Sequence, residues 1–202
     1  MDFYVINLER RPDRLKRFQM GSNLAQVPCE VIKAVDGRVL VTDDHWLTKY
    51  DNLEKIRYLK RGEIGAYLSH YKCFEQSTKD IAMIFEDDAR IPIDFWYQYN
   101  LVMKHIPSDF DIVLLGTSRL WKRKYKSRCK LIWENEYFAE YQGDIYGLQG
   151  YIITKKAIDY LKDCKYPIMA PIDVVFNNLG LKVYVVKSDL ISLNRLGSDS
   201  QG

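Results

Sequence analysis

The chain has 202 residues, of which 47% are hydrophobic and 28% charged, a globular composition that argues against a disordered or collagen-like chain. The formal net charge of +3 does not call for nucleic acid, and we expect no such partner. Its apolar runs are too short to cross a bilayer, and the first residues lack a secretory signal pattern. We therefore expect one soluble cytoplasmic domain, residues 1–202, whose four cysteines are reduced.

Short apolar runs alternate with segments of helical period along the chain. The pattern predicts strands over 3–8, 30–35, 81–85, 112–115, 148–154 and 182–186, and helices from residue 12 and over 62–78, 94–105, 156–163 and 172–179. The first helix is expected to bury Leu15, Phe18 and Leu24, and the mixed segment 38–60 is predicted as short helices. Strands alternating with helices predict an α/β fold with a mostly parallel central sheet and helices on both faces.

The strongest chemical signal is the acidic end of the third predicted strand, where Phe85 is followed by Glu86, Asp87 and Asp88. Ligands of parallel α/β sheets bind beyond the carboxyl ends of the strands. Strand alternation puts Glu86 and Asp88 on one side and Asp87 on the other, which gives two oxygen ligands for Mg²⁺ or Mn²⁺. The alternative is a polar loop with helix-capping acids.

Three segments occur in the order VINLERRPDR (5–14), GEIGAYLSH (62–70) and FEDDA (85–89). Together they resemble glycosyltransferase family 25, which contains bacterial lipooligosaccharide galactosyltransferases and collagen galactosyltransferases. Segments 150–157 and 171–173 resemble later blocks of the family. The resemblance implies a GT-A-like nucleotide-sugar-binding fold, a UDP-hexose donor, and Glu86 and Asp88 in the place of the D-x-D metal motif.

The resemblance also implies transfer with inversion, for which a carboxylate must deprotonate the acceptor hydroxyl. We expect Asp173 to be this base, because it follows Pro171 at a predicted helix start near the sheet edge. The helix N-terminus is expected to keep Asp173 ionised at neutral pH. A plain N-cap is the alternative reading, and Asp144 is the reserve candidate for the base.

Four polar residues are candidates for nucleotide binding. Asn7, Arg10 and Arg14 lie around the first strand-to-helix turn, where arginines can match phosphate oxygens. Asp36 ends the second predicted strand and can accept hydrogen bonds from ribose or uracil. The alternative is that the Asp-Gly pair only stabilises a turn.

Three further residues have two readings each. Gly147 and Gly150 flank a predicted strand and either let the donor sugar approach the backbone or mark a bulge. His70 matches a family motif position, and it is either a hydrogen-bonded structural group or an acid or base.

The segment 119–130 contains seven basic residues and no acidic ones, interleaved with Trp121 and Tyr125. Such a run suits an anionic membrane surface or an acidic acceptor, but a solvated loop or a nucleic-acid contact is also open. With the resemblance, it predicts a cytoplasmic enzyme that visits the inner face of the cytoplasmic membrane, where lipid-linked acceptors lie.

The sequence therefore predicts a metal-dependent glycosyltransferase that moves a hexose, with galactose from UDP-galactose expected, onto lipooligosaccharide or another cell-surface glycan. Two rivals remain. One is a non-catalytic membrane- or nucleic-acid-binding module in which the acidic cluster is structural. The other is a metal-dependent nucleotidyltransferase, which would release pyrophosphate instead of UDP.

Overall fold

The computed structural model describes residues 1–40, 49–52, 55–117, 129–143 and 145–193. The strands are β1 Asp2–Asn7, β2 Glu30–Lys33, β3 Lys49–Asn52, β4 Lys55–Tyr58, β5 Ile81–Glu86, β6 Ala89–Arg90, β7 Ile112–Leu114, β8 Cys129–Glu134, β9 Phe138–Gly143, β10 Gly150–Thr154, β11 Val183–Val186 and β12 Ser192–Leu193. The helices are α1 Pro12–Leu24, α2 Arg61–Gln76, α3 Phe95–His105, α4 Lys155–Asp163 and α5 Ile172–Asn178.

Eight of these strands form one central sheet in the order β2-β1-β5-β10-β7-β11-β9-β8. β1 is parallel to β2 and β5, and β11 is parallel to β7. β10 runs antiparallel between β5 and β7, and β9 runs antiparallel between β11 and β8. Six strands therefore point one way and two the other, so the predicted α/β class and the dominant strand direction are confirmed.

The two faces of the sheet carry separate apolar cores, because successive side chains of a strand point to opposite faces. On one face, Ile84 of β5 and Tyr151 of β10 pack with residues of α2, α4 and α5. On the other face, Phe85 of β5 and Val113 of β7 pack with residues of α1 and α3. Helices thus cover both faces, as predicted.

Helix α1 follows β1 directly and begins with Pro12, whose missing N–H costs nothing at a first helical position. Phe18 is buried in the core as predicted. The predicted burial of Leu24 is wrong, because Leu24 is 71% exposed. The helix ends at this residue, and Ala25 and Val27 occupy the buried positions that follow.

Several strands were not predicted from the sequence. The prediction of short helices over 38–60 is wrong where the chain is described, because β3 and β4 pair there as an antiparallel hairpin. β8 lies at the edge of the main sheet and exposes Leu131, Ile132 and Trp133 in succession. A strand exposed on both sides shows no alternation of polar and apolar residues, which explains why it was missed.

All four cysteines are free thiols, as predicted, and Cys73 is fully buried among apolar residues. Burial raises the pKa of the Cys29 thiol to about 12. Among the helices in the described ranges, none combines the length and the apolar character needed to cross a membrane. The single-domain organisation stays a prediction.

Candidate active site

The carboxyl ends of β1, β5 and β7 meet at one edge of the sheet. Because β10 runs in the opposite direction, its first residue lies at this same edge. The backbone N–H of Glu86, at the end of β5, donates to the carbonyl of Gln149, 3.2 Å away. On the other side of β10, the N–H of Leu115 donates to the carbonyl of Gly150 over 2.9 Å. The acidic end of β5, the end of β7 and the entry to β10 are therefore joined at one place.

Asp87 is the buried member of the acidic cluster. Arg14 of α1 donates from Nη1 to Asp87 Oδ1 over 2.9 Å, and Asn7 of β1 donates from Nδ2 to Asp87 Oδ2 over 2.7 Å. The side chains of Arg14 and Asp87 are each only 7% exposed. Burial raises the pKa of Asp87, and the arginine and the amide act against that rise. The nucleotide-binding role predicted for Asn7 and Arg14 finds no support here, since both side chains bind Asp87.

Arg10 and Asp36 join the first two strand ends at the surface. Arg10 Nε donates to Asp36 Oδ2 over 2.7 Å, and the backbone N–H of Arg38 donates to Asp36 Oδ1 over 3.0 Å. These interactions, led by the Arg38 hydrogen bond, lower the pKa of Asp36. Both side chains of the ion pair stay partly exposed, so their predicted contact with a nucleotide remains open.

Glu86 points to the α2 face of the sheet, opposite to Asp87, so the predicted alternation holds for these two residues. Its Oε1 lies 3.5 Å from Nε2 of His70, and its side chain stays 36% exposed. His70 is buried on α2, and its Nδ1 lies 2.8 Å from the hydroxyl of Tyr151. The sequence marked His70 as a motif position but gave no sign of Tyr151.

Asp88 follows in the turn after β5. Burial, followed by the charge of Glu86, raises the pKa of Asp88 to about 7. Its Oδ1 is buried and has no hydrogen-bond partner. An unpartnered carboxylate oxygen beside a second carboxylate is a place where a cation relieves both desolvation and repulsion.

The carboxylates of Glu86 and Asp88 therefore fit a divalent ion as a pair of protein ligands. Across the described ranges, no cluster of three or more His, Cys, Asp or Glu side chains is arranged to hold a metal ion. Magnesium is usually held by one or two carboxylates together with substrate phosphates and water, so two protein ligands match that pattern.

Asp173 lies in the first turn of α5, on the same side of the molecule as Glu86. It does not cap the helix with its side chain; instead, its Oδ2 accepts from the backbone N–H of Gly147 over 3.4 Å. Burial raises the pKa of Asp173 to about 7, and the charges of Glu86 and Glu63 add to the rise. The expectation that Asp173 is ionised at neutral pH because of the helix N-terminus is therefore wrong. The loss of hydration on burial raises the pKa of Asp173 more than the N-terminus of the short helix α5 lowers it.

The two predicted glycines have different structural reasons. Gly147 has φ of 105°, a left-handed conformation that side chains disfavour, and its N–H faces Asp173. Gly150 is buried, and a Cβ there would lie 3.1 Å from both Phe85 and Ile191. Close packing against Phe85 of β5 and against Ile191 explains Gly150, while Gly147 stays a predicted contact of the donor sugar.

Two polar side chains that the sequence did not single out lie at the entry to β10 and the end of β7. The amide of Gln149 is 1% exposed, and neither its oxygen nor its nitrogen has a hydrogen-bond partner. Its Nε2 would lie 3.2 Å from a Cβ on Gly116. Thr117 is equally buried, and its hydroxyl is also unpartnered. Unsatisfied polar groups of this kind are uncommon in protein interiors and call for an explanation.

Two sets of predicted residues cannot be placed. Asp144, the reserve candidate for the base, lies outside the described residues. The basic run is outside them as well, except for Cys129 and Lys130 at the start of β8.

Acidic side chains lie beyond the carboxyl end of β5, at the edge where α/β proteins bind their ligands. The model of glycosyltransferase family 25, described as an LPS biosynthesis protein family, matches residues 1–176 of this chain. The chain belongs to that family. The predicted relationship to the family is confirmed.

Among curated proteins, procollagen galactosyltransferase 1 of Danio rerio is 27% identical over 202 residues, which cover 91% of this chain and 33% of that protein. The probable inactive glycosyltransferase 25 family member 3 of Bos taurus is 30% identical over 131 residues, covering 59% of this chain and 22% of that protein. Among solved structures, the galactosyltransferase LgtC with donor and acceptor sugar analogs aligns with a TM-score of 0.48 and 12% identity, covering 92% of this chain and 73% of that one. The chain thus spans about a third or less of these curated relatives.

Proposed function

We propose that this glycosyltransferase-family chain is an active, metal-assisted hexosyltransferase that moves galactose from UDP-galactose to a hydroxyl group of a glycan. The observation that carries the proposal is the buried Oδ1 of Asp88, which has no hydrogen-bond partner and lies in the turn that follows Glu86. Burial raises the pKa of both Asp88 and Asp173, and the charge of Glu86 adds to the rise in each case. Keeping such carboxylates together costs stability, which is a common property of functional sites.

Glu86 and Asp88 are the residues proposed to hold Mn²⁺ or Mg²⁺. When bound, the cation would neutralise charge on the diphosphate leaving group. The protein residues contribute the binding itself: Asp88 offers a buried carboxylate oxygen without a partner, and Glu86 offers a carboxylate that stays 36% exposed. Asp87 has a separate role, because its contacts to Arg14 and Asn7 fix the turn that presents its two neighbours.

Asp173 is proposed as the general base. An inverting transfer needs a group that accepts the proton of the acceptor hydroxyl while that oxygen attacks the anomeric carbon. A base works best when its pKa lies near the operating pH, and the pKa of Asp173 is raised to about 7. The Gly147 N–H holds one of its oxygens, which orients the carboxyl group. Asp144 remains the reserve candidate.

Arg10 and Asp36 are proposed to contact the nucleotide, and Gly147 the sugar. The Arg10–Asp36 pair lies at the ends of β1 and β2 and is open to solvent on one side. Its arginine offers donors to phosphate, and its carboxylate offers acceptors to ribose or uracil. Asn7, Arg14 and Gly150 are proposed to support this site from behind rather than to touch the donor.

The acceptor is proposed to be lipooligosaccharide or another cell-surface glycan carried on a lipid. The basic run over 119–130 supports this part of the proposal, because clustered Lys and Arg residues bind anionic lipid surfaces. The enzyme would then work in the cytoplasm, at the inner face of the bacterial cytoplasmic membrane.

The test is donor hydrolysis by the purified chain. With UDP-galactose and Mn²⁺, the wild-type protein should release UDP slowly even without an acceptor, and a chelator should stop the release. The Asp88→Ala variant should lose the metal-stimulated release, whereas Asp94→Ala, which changes an exposed aspartate before α3, should keep it. Full activity of Asp88→Ala would contradict the metal assignment.

The same assay separates the rival functions. Release of pyrophosphate would indicate a nucleotidyltransferase. One relative is named as an inactive member of the family, so a non-catalytic binding module is the rival function that has a precedent among the relatives. If calorimetry shows that the wild-type chain binds neither UDP nor UDP-galactose in the presence of Mn²⁺, the enzymatic proposal is wrong and a non-catalytic module is favoured.

A further inference from the structure

A buried histidine and a buried tyrosine lie directly behind Glu86. His70 projects from α2 and Tyr151 from β10, and they are 1% and 0% exposed. The Tyr151 hydroxyl lies 2.8 Å from His70 Nδ1, while His70 Nε2 lies 3.5 Å from Glu86 Oε1. The three side chains form a series of contacts that runs from Tyr151 in the apolar core to Glu86 at the sheet edge.

The proton of the Tyr151 hydroxyl determines which atoms donate and which accept in this series of contacts. Burial raises the pKa of Tyr151 well above its usual value, so the hydroxyl keeps its proton. Across the described residues, His70 Nδ1 is its one hydrogen-bond partner. A buried hydroxyl that fails to donate loses a hydrogen bond at a cost of about 1–3 kcal/mol. The hydroxyl therefore donates, and Nδ1 must be the acceptor.

With Nδ1 as acceptor, the imidazole carries its proton on Nε2, the nitrogen that faces Glu86. Ring nitrogens of histidine are set in this way by the hydrogen bond that the other nitrogen makes. At 3.5 Å the Nε2–Oε1 contact is longer than a good hydrogen bond. Contacts of this kind in ligand-free sites often shorten when substrate binds.

We propose that Tyr151 and His70 are positioning residues that orient the Glu86 carboxylate for the divalent ion, by fixing an imidazole whose Nε2–H donates to Glu86 Oε1. The inference rests on the proposed function only in taking Glu86 as a cation ligand. Residues behind a ligand carboxylate commonly set its orientation, and their loss typically lowers metal affinity about 10- to 100-fold.

The first test reads the proton position directly. The chain has three histidines, so a long-range proton–nitrogen correlation spectrum of protein labelled with ¹⁵N-histidine is simple, and His70→Gln identifies the His70 signals. We expect one neutral form with the proton on Nε2 in the wild-type protein and a mixture of forms in Tyr151→Phe. A proton on Nδ1 in the wild-type protein would overturn the proposal. This readout requires neither metal nor activity.

The second test measures Mn²⁺ affinity by calorimetry in the presence of UDP. Tyr151→Phe should weaken Mn²⁺ binding about 10-fold. The matched control is Tyr71→Phe, which also removes one buried hydroxyl, here hydrogen-bonded to the Leu161 carbonyl over 2.8 Å, and should leave Mn²⁺ affinity unchanged. Equal effects of the two variants would reduce Tyr151 to a structural role and overturn the proposal.

Substitution of His70 gives a third comparison. His70→Gln keeps a long side chain with an N–H donor and should retain more Mn²⁺ affinity than His70→Leu, which keeps only bulk. Equal losses would contradict the proposed hydrogen bond. If the wild-type protein itself binds no Mn²⁺ with UDP, the proposed function fails, while the spectrum of His70 still decides whether the proton is on Nε2.

Discussion

Arg14 and Asp87, 73 positions apart in the chain, form an ion pair inside the protein with 2.9 Å between Nη1 and Oδ1. The pair joins the first turn of α1 to the turn after β5. Asp87 lies between Glu86 and Asp88, the two residues proposed to bind a cation. The acidic cluster therefore has one member in a buried ion pair and two that are proposed to bind a cation.

The first prediction concerns this ion pair. Arg14→Leu should reduce the free energy of unfolding by about 3–5 kcal/mol, because it leaves the Asp87 carboxylate buried without its charge partner. Urea denaturation measures the loss. The control is Arg11→Leu: Arg11 pairs with Asp13, whose side chain is 57% exposed, and exposed pairs contribute about 1 kcal/mol or less. Similar losses for both variants would show that the pair is not a structural anchor.

The second prediction concerns the stability cost of Asp88. The pKa of Asp88 is raised from 3.8 to about 7 in the folded protein, so the folded state binds its proton more tightly than the unfolded state. The stability of the protein should therefore fall as pH rises from about 4 to about 7. Asp88→Asn removes the contribution of Asp88 to this dependence, while that of Asp173 remains, and the variant should be more stable than wild type at pH 8, by on the order of 1–3 kcal/mol.

Thermal unfolding in matched buffers checks the second prediction. The advantage of Asp88→Asn should disappear as the pH falls below the ordinary pKa of 3.8, where Asp88 is protonated in both states. Adding Mn²⁺ and UDP at pH 8 should raise the melting temperature of the wild-type protein more than that of the variant. A variant that is less stable than wild type at every pH would contradict the electrostatic argument.

The third prediction concerns Asp173 as the base. Asp173→Asn should lower kcat by about 100-fold or more while changing the affinity for the donor little, because the carboxylate acts on the acceptor proton. Asp159→Asn, at an exposed position on α4, is the control and should behave as wild type. Equal losses in kcat and donor affinity would identify Asp173 as a structural residue.

The fourth prediction is the pH dependence of transfer. The pKa of Asp173 is raised to about 7, and a base must be ionised to accept a proton. At saturating donor and acceptor, kcat should rise with pH and level off above about 7. The measurement is the initial rate of UDP release between pH 5 and 9. A flat profile would indicate that another group, for which Asp144 is the reserve candidate, accepts the proton.

The fifth prediction concerns the basic run. Replacing Lys122, Arg123, Lys124 and Lys126 with Gln should weaken binding to anionic vesicles, at about 1 kcal/mol per basic residue near the surface. Transfer to a soluble acceptor should be unaffected. The control replaces Lys16, Lys79, Lys104 and Lys162, which removes the same charge from other parts of the chain. Vesicle sedimentation measures both, and equal binding by the two variants would contradict the membrane role.

The sequence predicts well those elements whose side chains are buried with a clear period. Strand β5 is an uninterrupted apolar run that ends at its acidic residues, and α2 carries a buried stripe that includes Ile64, Tyr67, Tyr71 and Phe74. In contrast, β8 exposes Leu131, Ile132 and Trp133 in succession. Its sequence therefore shows neither the alternation of a half-buried strand nor the period of an amphipathic helix. Edge strands depend on pairing partners that lie elsewhere in the sequence.

The sequence offers candidate residues for the site, but it does not predict the contacts between them. The acidic end of β5 was visible, because three carboxylates follow a strand. The binding of Arg14 and Asn7 to Asp87 was not, since it depends on how α1 crosses the sheet. The same holds for the raised pKa of Asp173, whose largest cause is burial by neighbours distant in sequence.

The reversed direction of β10 has a consequence for how this site could diversify. The segment 145–149 leads into a strand whose neighbours both end where it begins, so it delivers Gly147 and Gln149 next to the acidic cluster without interrupting any strand. Ile145, Leu148 and Gln149 of this connection are buried, whereas Tyr146 and Gly147 are partly exposed. Substitutions at Tyr146 and Gly147 would therefore change the surface proposed to contact the sugar, while the buried residues and the hydrogen-bond ladder of the sheet stay intact.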